Sequence, residues 1–240
     1  MVFDLPRDVI LPVDTVDVRL VKEPHPFELE NAEAIARNWA GEIAARPALF
    51  DGRVVLLSSL SYAGRMLTGI CHEIGFSTFL YWRKLKPVPS GEHAFAHAML
   101  ISSDNALIAI RMGAQTANAG KVYFAAGSFE PEDFSADGQV MLDYNMAREV
   151  GEETGLDLAE ARRSEGLQVL STLGGTVIVR CYRLPETADA IAARIKDFVA
   201  RDADPEIVGP VIIRGLDDLP EGLMPHMLPL VRWHFGGAVS

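Results

Sequence analysis

The sequence predicts an α/β fold in which a mixed sheet is covered by helices. Three observations predict it. Apolar residues recur at helical spacing in several stretches, as at Leu29, Ala32, Ile35, Ala36, Trp39 and Ile43. Short runs rich in Val, Ile and Leu lie between them, bounded by glycine and polar turn residues, which is the pattern of strands. The two kinds mix along 240 residues of which 49% are apolar, enough to bury a real core in one large domain or two small ones.

Each element has its own signal. Residues 1–26 carry four prolines and alternate apolar with charged, so they read as an extended arm with one strand at 15–21. Residues 27–45 form an amphipathic helix. Asp51-Gly52 signals a turn, and 54–60 pairs with 66–71 around Ser61–Gly64. The aromatic-rich stretch 73–84 is helical, and Pro87-Val-Pro-Ser-Gly91 marks a boundary. This divides the chain into an N-terminal α+β extension, 1–90, and a main domain, 91–240. Strands 94–101 and 106–111 flank the turn Ser-Ser-Asp-Asn. A small-residue loop, 112–120, leads to a short strand, 122–126, that ends at Gly127. An acidic loop, 128–142, precedes a helix at 143–154, with Asp143 as its N-cap and Gly155 just past its end. Strands 167–171 and 176–182 form a hairpin around Gly174-Gly175. A helix at 186–202, a strand at 207–213 and a short helix within 220–235, interrupted by Pro225 and Pro229, complete the chain.

The formal net charge is -11, which opposes nonspecific binding to nucleic acid. It leaves open a small phosphorylated ligand, because a bound divalent cation reverses the local field. Cys71 and Cys181 lie in apolar surroundings and match no disulfide framework, so two buried thiols in a reducing compartment are expected. The N-terminus has no basic segment followed by an apolar one, and no run approaches the roughly eighteen apolar residues of a membrane span. A soluble cytoplasmic protein is expected, one that engages no membrane; a homodimer is compatible with the sequence.

The chemistry centres on Arg148-Glu149-Val150-Gly151-Glu152-Glu153-Thr154-Gly155-Leu156. On a helix Glu149, Glu152 and Glu153 fall within roughly a 100° arc, while Met146, Ala147, Val150 and Thr154 occupy another. One side is expected to pack and the other to gather negative charge. Carboxylates so grouped raise each other's pKa unless a cation sits among them, and hard cations such as Mg²⁺ take oxygen ligands. Arg148, one turn before Glu152, is placed to orient and screen that carboxylate. A Glu-Glu pair on a helix is most often a solvated face. Here the order of elements argues otherwise: a strand running into glycine, an acidic loop, the charged helix and a glycine stop.

This order resembles the Nudix hydrolase family, whose signature is a Gly, five residues, a Glu, seven residues, then Arg-Glu-apolar-x-Glu-Glu-x-Gly-apolar. The second half is complete in Arg148, Glu149, Val150, Glu152, Glu153, Gly155 and Leu156. Gly127 matches the opening glycine, but Asp133 stands where Glu is usual, and fourteen residues separate it from Arg148. The extra loop, 134–141, is expected at the rim of the site. The resemblance covers roughly 93–219. It implies an α/β/α sandwich, and Mg²⁺, with Mn²⁺ as a substitute, held by Glu149, Glu152 and Glu153, with the Gly127 carbonyl nearby. Arg148 belongs to the same catalytic set. Glu206, before the strand at 207–213, matches a position where many members carry a further acid, as ligand or base. Arg111 resembles a commonly basic position and would contact substrate. Arg46–Gly52 and Phe76–Phe79 are similar to a subgroup that cleaves UDP-sugars.

The implied activity is hydrolysis of a diphosphate linking a nucleoside to another group, a UDP-sugar being the best single guess. The alternative is a Nudix-fold ligand-binding or regulatory domain without catalysis; a third is an enzyme of this fold that isomerises diphosphates. The histidines His72, His93, His97, His226 and His234 show no ligand spacing beyond the His93–His97 pair and read as core or loop residues.

Overall fold

The computed structural model describes residues 3–47, 49–85 and 90–236, so most of the Pro87–Gly91 boundary lies outside the described residues. The elements run β1 (Phe3–Asp4), β2 (Ile10–Val13), β3 (Thr15–Val21), α1 (Pro26–Ala45), β4 (Arg53–Ala63), β5 (Met66–Gly75) and α2 (Phe76–Leu85). Next come β6 (Ala94–Ile101), β7 (Leu107–Met112), β8 (Val122–Tyr123) and α3 (Leu142–Thr154). The chain finishes with β9 (Arg162–Arg163), β10 (Leu167–Thr172), β11 (Gly175–Arg183), α4 (Ala188–Val199), β12 (Ile207–Ile213) and α5 (Met227–Phe235).

Two mixed sheets result. The smaller has the order β1-β4-β5-β3. Its central hairpin closes through Gly64 and Arg65, both at positive φ, which matches the twist that a two-residue hairpin turn requires. The larger follows β12-β7-β6-β11-β10-β2, with β8 beside β7 and β9 beside β11. Strand β2 comes from the first ninety residues yet forms the edge of the larger sheet, antiparallel to β10.

Successive side chains of β6 and β11 point to opposite faces of the larger sheet. On one face Tyr182 donates its hydroxyl to Asp143 and touches Met146, both on α3. On the other, His97 meets His226 at the start of α5. Helices therefore cover both faces, giving an α/β/α sandwich on a mixed sheet, as the sequence predicts. The continuous apolar core lies between them, with Met99, Leu107, Met146, Val150, Val179 and Leu230 near its centre. A smaller cluster of Phe27, Ile35, Leu56, Ile74, Phe79 and Trp82 packs α1 and α2 onto the smaller sheet.

Several local expectations change. Helix α1 buries Phe27 and Ile35, but Leu29 and Ile43 are exposed because the helix sits at the outside of a small sheet. The stretch from 73 splits. Strand β5 continues to Gly75, and α2 starts at Phe76, where the Asp51 carboxylate accepts both the N–H and the hydroxyl of Ser77. The Asp51 turn signal is thus also a helix cap. Strand pairing after the small-residue loop stops at Tyr123. Asp143 is not the N-cap of α3; Met141 is, without a side-chain bond. Arg163, Arg180 and Tyr182 claim the Asp143 carboxylate instead. Pro225 precedes α5 and Pro229 lies in its first turn, where a missing N–H costs nothing, so neither interrupts it.

Candidate active site

Helix α3 buries Leu142, Asn145, Met146, Glu149, Val150, Glu153 and Thr154, while Ala147 is exposed. The expected division into a packing side and a charged side therefore fails. Glu149 and Glu153, one turn apart, lie on the inner face, and only Glu152 points out, with its side chain 61% exposed. An ordinary helix would place apolar residues at 149 and 153.

Gly127 explains how Glu149 fits. A Cβ at this position would stand 2.2 Å from a carboxylate oxygen of Glu149, so the glycine leaves the space that this carboxylate occupies. Beside it, the Ala126 N–H donates to Glu153 Oε2 at 2.9 Å. Gly155 ends the helix at φ +68, and a Cβ there would meet the Phe198 ring at 2.3 Å.

Arg148 is the cation of the site. Its Nη2 reaches Glu149 Oε1 at 2.8 Å and Asp133 Oδ2 at 3.1 Å, its Nη1 reaches Glu152 Oε2 at 3.0 Å, and its Nε lies 3.3 Å from Glu132 Oε1. Asp133 is fully buried and also accepts the Glu130 N–H and the Asn145 side-chain amide, each at 2.9 Å. In the sequence fourteen residues separate Asp133 from Arg148 where the signature has seven. The gap loops out, and Asp133 returns against Arg148 regardless of it.

One guanidinium does not balance these carboxylates. Burial pushes Glu149 up to about 7, against the pull of Arg148 and with the help of Glu152, Asp133 and Glu130. Glu153 rises well above its usual range, first by burial and then by the charge of Glu149, although the Ala126 N–H opposes the rise. Glu130 is raised too, mainly by burial. Buried, mutually repelling carboxylates are what an added divalent cation relieves.

The donor chemistry fits Mg²⁺, which takes oxygen ligands and keeps much of its shell for water and substrate phosphate. Among the described residues no three Asp, Glu, His or Cys side chains form a ready-made ligand set. Glu149 offers an inward carboxylate at Gly127 and Glu153 a second at the Ala126 N–H, and the Glu152 carboxylate lies across Arg148.

The remaining sequence candidates take different places. Glu206 is exposed, its carbonyl accepts the Gly113 N–H at 2.7 Å, and its charge bears on Glu153 and Tyr123. Arg111 is half-buried, and its Nη1 donates to the carbonyls of Gly120 and Glu221, both at 3.1 Å, so it clasps the loop after β7. Within Arg46–Gly52, Arg46 pairs with Glu42 and Asp51 caps α2; Ala48 lies outside the described residues.

Two features had no local signal. His97 and His226 are 129 positions apart, yet their Nε2 atoms are 3.0 Å from one another, and burial holds both below the usual histidine range. Tyr123, pushed up to about 12 by burial, receives the Asn118 amide and stands in the field of Glu153, Glu206 and Glu149.

No family model matches the chain, and neither does any curated protein. Solved structures do. A protein of Deinococcus radiodurans is 15% identical and covers 75% of this chain and 98% of its own, with a TM-score of 0.43. A NUDIX hydrolase from Nitrosomonas europaea is 17% identical over 60% of this chain and 70% of its own, with a TM-score of 0.35. A Nudix hydrolase from M. smegmatis is 12% identical over 57% and 80%, with a TM-score of 0.34. At such scores the chemistry of the site stands on its own residues.

Proposed function

We propose that this chain is a Mg²⁺-dependent hydrolase of the Nudix type that cleaves the diphosphate linkage of a nucleoside diphosphate joined to another group. The observation that carries the reading is the pair of buried, mutually repelling carboxylates, Glu149 against Gly127 and Glu153 on the Ala126 N–H, beside one saturated arginine.

In this reading Glu149, Glu153 and Glu152 hold the metal, with the Gly127 carbonyl close by. A divalent ion held there would supply charge neutralisation of the diphosphate and a lowered pKa for an attacking water. Arg148 aims the carboxylates of Glu149 and Glu152, each within 3.0 Å, and Asp133 fixes Arg148 from behind. Glu206, whose charge bears on Glu153, is the proposed acceptor of the water proton. Substitution at phosphorus then depends on positioning and charge stabilisation.

The proposed substrate is a UDP-sugar. Support comes from the smaller sheet, which borders the site loop: the Val55 N–H donates to the Phe129 carbonyl at 3.1 Å, and Leu57 bridges to Glu92. In this reading the edge of that border walls a bulky group beside the diphosphate. A reducing, cytoplasmic setting suits the free thiols Cys71 and Cys181, and among the described residues no helix is long and apolar enough to cross a membrane.

The test is a profile of the intact protein with Mg²⁺ against UDP-glucose, ADP-ribose, dinucleoside polyphosphates and nucleoside triphosphates. Release of UMP and a sugar phosphate supports the full reading. Preference for triphosphates removes the sugar nucleotide and keeps the chemistry. No turnover of any of them, with ligand still bound, favours the binding-domain alternative.

A further inference from the structure

The fourteen residues between Asp133 and Arg148 contain a small hairpin that leaves the site and returns to it. Phe134 bridges to Val140, the Ser135 N–H donates to the Gln139 carbonyl at 2.9 Å, and the Gly138 N–H to the Ser135 carbonyl at 2.8 Å. Phe134 and Val140 are buried, so the hairpin is packed at its base.

Its outer limb lies along the free edge of β3. The Leu20 N–H donates to the Gly138 carbonyl at 2.8 Å, the Val140 N–H to the Val18 carbonyl at 3.0 Å, and the Gln139 amide to the Val16 carbonyl at 3.0 Å. Arg19 and Gln139 are antiparallel partners between these bonds. The segment therefore pairs with the free edge of the smaller sheet through one bridge, Arg19–Gln139, and covers groups there that would otherwise be unpaired. Gly138 is required for the approach: it has φ +81, and a Cβ would stand 2.6 Å from the Leu20 carbonyl oxygen.

Both feet of the hairpin are parts of the site. Asp133, at one foot, holds Arg148 and Asn145; Met141, at the other, is the N-cap of α3 and donates its N–H to the Asp133 carbonyl at 2.8 Å. We infer that residues 134–140 are a positioning strap, which registers the N-terminal sheet to the carboxylate helix through the Asp133–Arg148 contact. Gly138 and Gln139 are its positioning residues; neither touches the carboxylates. An exposed rim loop would bond to solvent, whereas this segment uses its backbone to tie the smaller sheet to the start of the carboxylate helix.

The inference rests on the proposed hydrolysis only for its activity readout. Amide hydrogen exchange of α3, read without substrate, tests it independently. Arg19 and Gln139 form a non-hydrogen-bonded antiparallel pair, a spacing that suits a disulfide. The double variant R19C/Q139C therefore lacks the Gln139 clamp when reduced and is tied covalently when oxidised. Reduced protein should exchange the amides of residues 145–154 at least tenfold faster than wild type and lose severalfold in kcat with little change in KM; oxidation should restore both. Gly138→Ala should behave like the reduced form. Gly166→Ala, where an added methyl meets nothing within 4 Å, should behave like wild type. Equal exchange of α3 in the reduced, oxidised and Gly138→Ala proteins would overturn the strap, whatever the activity. A wild type that cleaves no diphosphate would overturn the proposed function, and the exchange data would still decide the strap.

Discussion

Replacing Glu149 by glutamine should make the metal-free protein more stable at pH 8 while abolishing most of its turnover. Burial raises the Glu149 carboxyl from 4.5 to about 7 in the folded state. Between those values the folded chain binds a proton that the unfolded chain does not, so stability falls as pH rises and the full penalty is present above about pH 7. At about 1.4 kcal/mol per tenfold, the ionised carboxylate costs the folded state about 3 kcal/mol at pH 8. The variant keeps the shape of the side chain and carries no such penalty. Arg148 is not stranded, because Asp133 and Glu152 still hold it at 3.1 and 3.0 Å. Glu153 gains as well, since the charge of Glu149 is one cause of its raised pKa. Urea unfolding in EDTA at pH 5 and pH 8 measures the effect. The variant should exceed wild type by about 2–3 kcal/mol at pH 8, and the gap should narrow to within about 1 kcal/mol at pH 5. Added Mg²⁺ should stabilise wild type and not the variant. Equal pH dependence in the two proteins, or a variant weaker at pH 8, would refute the reasoning.

Other expectations follow from the same geometry. Glu152→Gln, at an exposed position, should shift stability by less than about 0.5 kcal/mol in a thermal melt but cut kcat at least tenfold, a loss of about 1.4 kcal/mol of transition-state stabilisation. Arg148→Ala leaves the buried Asp133 without its cation and should cost about 3–5 kcal/mol by denaturant unfolding. Gly127→Ala forces the Glu149 carboxylate away from a Cβ that would lie 2.2 Å from it; Mg²⁺ titration should show weakened binding in a protein that still folds by circular dichroism.

Much of this was legible in the chain. Strand β3 has the predicted bounds, and α1, β4, β6 and β7 lie within a few residues of theirs, because each has a strong period and a turn residue at its end. The carboxylate helix was legible from Arg148–Leu156, and its C-terminal stop from Gly155. Which of its glutamates turn inward was not, because a 3.6-residue period places Glu149, Glu152 and Glu153 close together on the wheel. The choice is made by what lies opposite: Gly127 and the Ala126 N–H receive Glu149 and Glu153. Contacts between distant segments left no local trace either. The His97–His226 pair, the β2–β10 pairing and the docking of Gln139 on β3 each join residues more than 100 positions apart.

The placement of β2 also sets an order on biosynthesis. Ile10–Val13 leaves the ribosome well before its partner Leu167–Leu170, which emerges about 155 residues later. At ~5–20 residues per second the arm waits for roughly 8–30 s before its strand can pair. Arg7, beside it, waits as long for Ser171, and Glu92 cannot complete its bonds to Arg7 and Thr176 until the same hairpin has formed. The smaller sheet can form early from its own hairpin with β1 and β3, while the residues between β1 and β3 stay unpaired. Closure of the larger sheet's edge is therefore a late event, and nascent chains stalled before residue 167 should remain open to proteases at residues 5–14.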